Sequence, residues 1–146
     1  MSEVVRTAGQ GSWEQLYGYS RAIQVGPWVM TSGCTAMVEG AVTHVNDPAG
    51  QTKAAFRVAL DHLVEAGAGL SDVVRTRMYI VDPDSADAVG RAHGEMFGLV
   101  KPVAIVVPVP RLLHPDVLVS VEVEAYRAPS SAEAPQRGDD NEGDSA

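Results

Sequence analysis

Two glutamates in an otherwise aliphatic segment are the side chains of this sequence best suited to chemistry. The segment Val121–Ala125 reads Val-Glu-Val-Glu-Ala, and its alternation predicts a strand with Glu122 and Glu124 on one face. Two carboxylates on one sheet face are costly unless water or cations compensate their charge. They could act as general acid or base beside a water, or form an ion network with Arg75 and Arg77. We expect the network for Glu124, and both roles remain open for Glu122.

The segment Val73–Val81 would supply those cations. Its residues alternate in polarity, which predicts a half-buried strand. One face is expected to carry Arg75, Arg77 and Tyr79, and the other face Val74, Met78 and Ile80. Arg77 is therefore a candidate ligand-binding cation, and the alternative is a structural role for both arginines opposite the glutamates.

The single cysteine and the four histidines do not form a recognisable catalytic or metal-binding pattern. Cys34 would need a base and a lowered pKa to act as a nucleophile, and the sequence places no partner beside it, which favours an inert buried thiol. The histidines are His44, His62, His93 and His114, too widely spaced to predict a metal site. His93 is a candidate polar residue of a pocket, or else a hydrogen-bonded core group. No glycine-rich phosphate-binding motif occurs, so we expect no cofactor.

Composition and charge limit the class of protein that this chain can be. The chain has 146 residues and a net charge of −8, enough for one domain with a core. The absence of a basic stripe argues against a nucleic-acid partner. We place the domain at residues 1–127, because residues 128–146 have no large apolar side chain and are acidic, which predicts a disordered tail. No signal peptide or membrane span is recognisable, so we expect a cytoplasmic protein without a membrane partner.

The remaining elements position these residues. Asp47 and Pro48 are typical of a helix start, and apolar residues then recur at helical spacing until Gly67. Residues Ser2–Gln15 give no clear prediction, and Ala41–Val45 suggests a short edge strand. The other expected elements are a hairpin of Ser20–Val25 and Trp28–Gly33, a second helix of about Ser85–Phe97, and two final strands, Val103–Val109 and Val117–Ala125.

This order predicts an α+β fold with a single mixed sheet. Helices that connect strands of one sheet would both lie on the same side of it. The opposite face, which carries the glutamates and arginines beside many valines, is then left uncovered in a monomer. Such a face is typical of a subunit interface, so we expect a homo-oligomer.

The chain resembles the Rid family, also called YjgF or reactive-intermediate deaminases, over Tyr19 to Arg127. The resemblance rests on the order and spacing of several short motifs. They are Tyr19-Ser-Arg-Ala, Val29-Met-Thr-Ser-Gly33, Asp47-Pro48 with Gln51-Thr52, Leu70-Ser-Asp-Val-Val-Arg-Thr-Arg-Met-Tyr79, Lys101-Pro102 and Val121-Glu-Val-Glu-Ala125. The resemblance implies a chorismate-mutase-like fold, a homotrimer, and ligand pockets in the clefts between subunits.

The resemblance also implies roles for individual residues. Family members hydrolyse enamines and imines such as 2-aminoacrylate, and the arginine of their Pro-x-Arg motif binds the substrate carboxylate. Ala104 stands at that position here, so this chain lacks the carboxylate-binding arginine. Gly90 replaces a family asparagine. The retained positions are the pocket acid Glu122, the substrate-contacting Tyr19, and the pocket backbone Ser32-Gly33.

Two functions follow from this comparison of motifs. The first is a small-molecule-binding trimer that hydrolyses an imine or enamine other than 2-aminoacrylate, in which Glu122 positions or activates the water. The second is a non-catalytic trimer that keeps the pocket and has lost the chemistry. Another cation would have to replace the missing arginine, and the candidates are Arg21, Arg75, Arg77 and Arg111. The side chain that occupies the space beside Glu122 should discriminate between the two functions.

Overall fold

The computed structural model describes residues 4–9 and 11–128. Its helices are α1 (Trp13–Tyr17), α2 (Pro48–Glu65) and α3 (Ala86–Phe97). Its strands are β1 (Val4–Thr7), β2 (Ala22–Val25), β3 (Trp28–Thr31), β4 (Met37–Val38), β5 (Ala41–Val42), β6 (Val73–Ile80), β7 (Val103–Pro108) and β8 (Val119–Tyr126).

Six of the strands form one mixed sheet in the order β1-β2-β3-β8-β6-β7. Strands β6 and β7 are parallel, and the other neighbours are antiparallel. Helices α2 and α3 pack together against one face of this sheet, which confirms the predicted α+β architecture. In the described part of the chain, no helix is long and apolar enough to cross a bilayer.

The first long helix begins as its sequence predicts. The Asp47 carboxylate accepts a hydrogen bond from the Gly50 amide at 3.0 Å, and Pro48 occupies the first turn, where its missing N–H costs nothing. The apolar stripe of α2 is buried in the core, where Phe56 packs edge-on against Phe97 of α3 at a centroid distance of 4.9 Å.

A buried glutamine ties α2 to the strand that carries the glutamates. Gln51 is fully buried, and its amide donates to the carbonyl of Asp116 at 2.8 Å and to that of His44 at 3.3 Å. Its side-chain oxygen accepts from the Leu118 amide at 2.8 Å. These bonds satisfy backbone groups just before β8 that would otherwise lack partners, and so they fix where β8 starts.

Two local predictions are corrected by the structure, and one segment without a clear prediction acquires elements. The described part of Ser2–Gln15 contains the edge strand β1 and the start of helix α1. The edge strand expected at Ala41–Val45 is shorter and pairs with Met37–Val38 in a separate two-stranded sheet. The placement of Val74 on one face with Met78 and Ile80 is wrong, because a bulge between Val73 and Arg75 buries Val73 and leaves Val74 38% exposed. An extra residue in a bulge shifts the alternation by one position.

The sheet face opposite the helices is uncovered in the single chain, as the sequence predicts. It combines charged side chains with large apolar ones that remain exposed, among them Trp28, Met30, Val103 and Ile105. The predicted tail is outside the described residues from residue 129 onward and stays a prediction.

Candidate functional site

The register between the neighbouring strands β6 and β8 assembles a cluster of charged residues on the uncovered face. Arg77 on β6 lies opposite Glu122 on β8, and Arg75 lies opposite Glu124. Arg77 Nη1 is 2.6 Å from Glu124 Oε1 and 3.6 Å from Glu122 Oε2, and Arg75 Nε is 3.9 Å from Glu124 Oε2. We call these four residues, together with Tyr79, the ionic patch. Its two arginines balance its two glutamates.

The two glutamates have different environments within the ionic patch. Glu124 accepts the short hydrogen bond from Arg77, and this bond raises the pKa of the Arg77 guanidinium. Of the two arginines, Glu122 contacts only Arg77, at the longer distance. Partial burial raises the pKa of the Tyr79 phenol, and the negative charge of Glu122 and its hydrogen bond with the phenol raise it further. Glu122 therefore lies between a cation and a neutral phenol, and the arginines hold it less closely than they hold Glu124.

Ala104 is not part of this patch. It pairs with Thr76, a fully buried residue whose other neighbour is Val123, so it belongs to the face that the helices cover. The β7 residue beside Arg77 is Ile105, which is 49% exposed. Within one chain, Ala104 and Glu122 therefore lie on opposite faces of the sheet, and the cation beside Glu122 is Arg77.

Tyr19 and Ser32, implied by the resemblance, do lie together. They line an open pocket of about 300 Å³ next to β2 and β3, which we call the Tyr19 pocket. The Ser32 hydroxyl bonds to the carbonyls of Ser20 and Arg21. The other residues that line the pocket are Arg6, Gly18, Ser20, Ala22, Ile23, Met30 and Thr31.

Gly33 connects the Tyr19 pocket to the ionic patch. The next residue, Cys34, exchanges two 2.8 Å backbone hydrogen bonds with Val121, which brings the loop after β3 alongside β8. A Cβ atom at Gly33 would lie 3.4 Å from the hydroxyl of Ser120. This distance is an ordinary van der Waals contact, so the loop lies against β8 at Ser120, two residues before Glu122.

Arg21, a candidate replacement for the missing arginine, contacts Glu14 and Cys34 and not the ionic patch. Its Nε is 3.7 Å from Glu14 Oε1, and its Nη2 contacts Cys34 Sγ at 3.5 Å. Burial raises the pKa of the Cys34 thiol, and the charge of Arg21 only partly offsets this effect. The geometry accordingly favours the inert buried thiol predicted for Cys34 and gives Arg21 a partner within the fold.

His93 lies on the helix side of the sheet. Its Nε2 is 2.8 Å from Thr76 Oγ1, and its ring packs against Phe56 and Phe97 at centroid distances of 5.6 and 4.8 Å. Desolvation lowers the pKa of this imidazole, which keeps it neutral near pH 7. The structure does not bring His93 together with Glu122.

Sequence reasoning missed two residues near these sites. Arg6 reaches the Tyr19 pocket from β1, and Glu14 reaches Arg21 from α1. Neither could be placed from the sequence because both elements are short and lack a clear apolar period. Across residues 4–9 and 11–128, no group of three or more His, Cys, Asp or Glu side chains is arranged to hold a metal ion.

Sequence similarity to known proteins covers most of the chain. An uncharacterized protein of Streptomyces coelicolor, SCO2049, is 43% identical over 127 residues, which cover 86% of this chain and 95% of that protein. A RutC family protein of Pyrococcus abyssi is 34% identical over 110 residues, which cover 75% of this chain and 86% of the relative.

The fold comparison agrees with these sequence relatives. The crystal structure of Rv2704 from Mycobacterium tuberculosis, a member of the YjgF/YER057c/UK114 family, matches with a TM-score of 0.77 and 37% identity, covering 85% of this chain and 99% of that chain. The family model described as Endoribonuclease L-PSP matches residues 3–127. The resemblance drawn from the motifs is thereby confirmed: the chain belongs to the Endoribonuclease L-PSP family, which is the YjgF or Rid family.

Proposed function

We propose that this protein is a homotrimer that binds a small organic molecule beside the ionic patch and hydrolyses an imine or enamine other than 2-aminoacrylate. Glu122 is the catalytic residue in this proposal, and Arg77 and Tyr79 flank the reacting group. The observation that supports it best is the contrast between the two glutamates. Arg77 is held by Glu124 at 2.6 Å and stands 3.6 Å from Glu122, so Glu122 keeps acceptor capacity for a water.

Hydrolysis of an imine at this site requires one group that both accepts and returns a proton. Glu122 takes a proton from water as the water oxygen bonds to the imine carbon and the nitrogen gains the π electron pair, and it then returns this proton to the nitrogen. In the resulting carbinolamine, Glu122 takes the hydroxyl proton and delivers it to the amino nitrogen, so that the C–N bond breaks as the C=O bond forms and ammonia leaves. A positioned carboxylate of this kind contributes about a hundredfold or more to the rate.

The charge of the patch supports a substrate other than the usual carboxylates. Both arginines of the patch already face glutamates, and the position of the family's carboxylate-binding arginine is Ala104, on the opposite face. A substrate carboxylate placed beside Glu122 would meet like charge. Ile105 and Met30 border the patch with apolar surface, which suits an uncharged aliphatic or aromatic imine.

Assembly of copies is proposed because the uncovered face exposes several large apolar side chains, and the number three is what the family resemblance implies. Trp28, Val103 and Ile105 are 43%, 58% and 49% exposed in the single chain, and they surround the ionic patch. A face of this composition is typical of a contact between copies. Assembly would also exclude water from the patch, which strengthens every electrostatic contact in it.

The test compares two classes of imine generated in situ. An amine oxidase supplies imines that lack a carboxylate, and a parallel reaction supplies 2-aminoacrylate. We expect ammonia release above the uncatalysed rate for one or more imines of the first class and little for 2-aminoacrylate. Glu122→Gln should lower the accelerated rate about a hundredfold or more, whereas Glu124→Gln, which loosens Arg77, should have a smaller effect.

Equal loss in both variants would show that Glu122 has no special role in the reaction. Rapid turnover of 2-aminoacrylate by the wild type would contradict the inference from Ala104. A wild-type protein that accelerates neither class would exclude the hydrolase and leave the alternative below.

A non-catalytic trimer is the second candidate, and the charge balance of the patch favours it. Two arginines matched to two glutamates can stabilise a subunit contact without chemistry. Saturable binding of a carboxylate-free carbonyl compound without hydrolysis of the related imine would support it. The description of the family model names an endoribonuclease, but a phosphate approaching Arg75 or Arg77 would meet Glu122 and Glu124, and the chain carries a net charge of −8. We therefore propose no RNA substrate.

A further inference from the structure

Tyr79 is the residue of the ionic patch that carries a neutral hydroxyl group. On β6 it lies directly opposite Ser120 of β8 and diagonal to Glu122, whereas Arg77 lies directly opposite Glu122. A diagonal pair on one face of a sheet is within reach of an aromatic side chain. Glu122 therefore has a guanidinium across from it on β6 and a phenol one position further along the same strand.

The hydrogen bond between the phenol and Glu122 has a direction that depends on the charge of the carboxyl group. Burial raises the pKa of Tyr79, and the negative charge of Glu122 and the hydrogen bond to it raise this pKa further. The phenol therefore stays protonated near pH 7 and donates to the carboxylate. Once Glu122 has taken a proton from water, its carboxylic acid becomes a donor, and the phenol oxygen accepts from it.

Arg77, the other neighbour of Glu122 on β6, is not suited to proton transfer. Its guanidinium donates to Glu124 at 2.6 Å, and this bond raises its pKa, so it keeps its protons. Arg77 therefore remains a fixed positive charge beside Glu122. Within the ionic patch, the phenol of Tyr79 is the group whose hydrogen can pass to a basic nitrogen and be replaced.

We propose that Tyr79 is a second catalytic residue, which relays the proton that Glu122 returns to the substrate nitrogen. This role rests on the proposed hydrolysis at Glu122. In each of the two transfers to nitrogen, the phenolic O–H bond breaks as its hydrogen bonds to the nitrogen. A new phenolic O–H bond forms with the hydrogen that Glu122 releases. The phenol is thus regenerated each time, and the net reaction remains imine plus water to carbonyl compound plus ammonia.

The kinetic test compares Tyr79→Phe, Glu122→Gln and the double variant in ammonia release from the imine that an amine oxidase makes from benzylamine. Tyr79→Phe should lower kcat about a hundredfold while KM changes by less than about twofold. Because the two residues act as one unit, the double variant should be about as slow as Glu122→Gln alone. The matched control is Tyr126→Phe, which removes the same hydroxyl from the end of β8 and should leave kcat unchanged.

A second measurement does not depend on turnover. The phenol of Tyr79 is titrated by NMR, and its pKa should be lower in Glu122→Gln than in wild type because the negative charge beside it is gone. An unchanged phenol pKa, or a double variant in which the two losses multiply, would overturn the relay. A normal rate in Tyr79→Phe beside a slow Glu122→Gln would overturn the relay alone, whereas a wild type that hydrolyses no imine would overturn the proposed function with it.

Discussion

Replacement of Gln51 by methionine tests how the helix layer positions the strand of the glutamates. Methionine has a similar length and volume and is readily accommodated in cores, so the change removes the polar atoms with little effect on packing. The side chain is fully buried. Its loss leaves the Leu118 amide and the Asp116 carbonyl without the partners that each has at 2.8 Å.

The expected cost follows from these two groups. A buried backbone group without a partner costs about 1–3 kcal/mol. The Leu118 amide is partly buried and should cost toward the upper end, whereas Asp116 is exposed and its carbonyl can take a water. We therefore expect Gln51→Met to lower the free energy of unfolding by about 2–4 kcal/mol.

The assay is urea unfolding at one fixed protein concentration, because an oligomer's stability depends on concentration. The control is Gln15→Met, the same substitution at an exposed position of α1, which should change the free energy by less than about 0.5 kcal/mol. A Gln51→Met protein as stable as this control would refute the reasoning, since it would show that the bonds to the segment before β8 contribute nothing net.

Two further predictions concern pH and assembly. Burial lowers the pKa of His93 in the folded state, so the unfolded chain binds a proton at this residue more readily. The stability that the neutral imidazole contributes is therefore complete above the unfolded-state pKa of about 6.5 and decreases as the pH falls below it. His93→Gln, which can still bond Thr76, should show a weaker loss of stability between about pH 6.5 and pH 5 in thermal melts; an unchanged pH profile would contradict the assignment. Ile105→Glu places a charge on the uncovered face and should convert the proposed trimer to smaller species in light scattering, whereas Leu99→Glu, at a fully exposed leucine on the helix side, should not. A wild type that is monomeric, or an Ile105→Glu protein with unchanged mass, would argue against assembly through this face.

Much of the fold and part of the site are encoded in local patterns. The cap at Asp47, the stripe of α2 and the alternation of Val121–Ala125 each involve neighbours in sequence, so they can be read from the chain alone. The same alternation placed Glu122 and Glu124 on one face. The bulge at Val73–Arg75 was not predictable in this way, because an inserted residue leaves no periodic signal of its own.

The sequence by itself determined which residues could compensate the charge of the glutamates, namely the arginines of an alternating strand. It also determined that one face of the sheet would combine charged residues with valine. Only the tertiary structure decided how these groups are matched. Arg77 and Glu124 are 47 residues apart, and their 2.6 Å contact depends on the register between β6 and β8, which packing of the opposite face against α2 and α3 fixes. For the same reason Ala104 falls on the helix side and Arg6 reaches a pocket built by β2 and β3, since pairing between distant strands is a property of the packed core and not of any local segment.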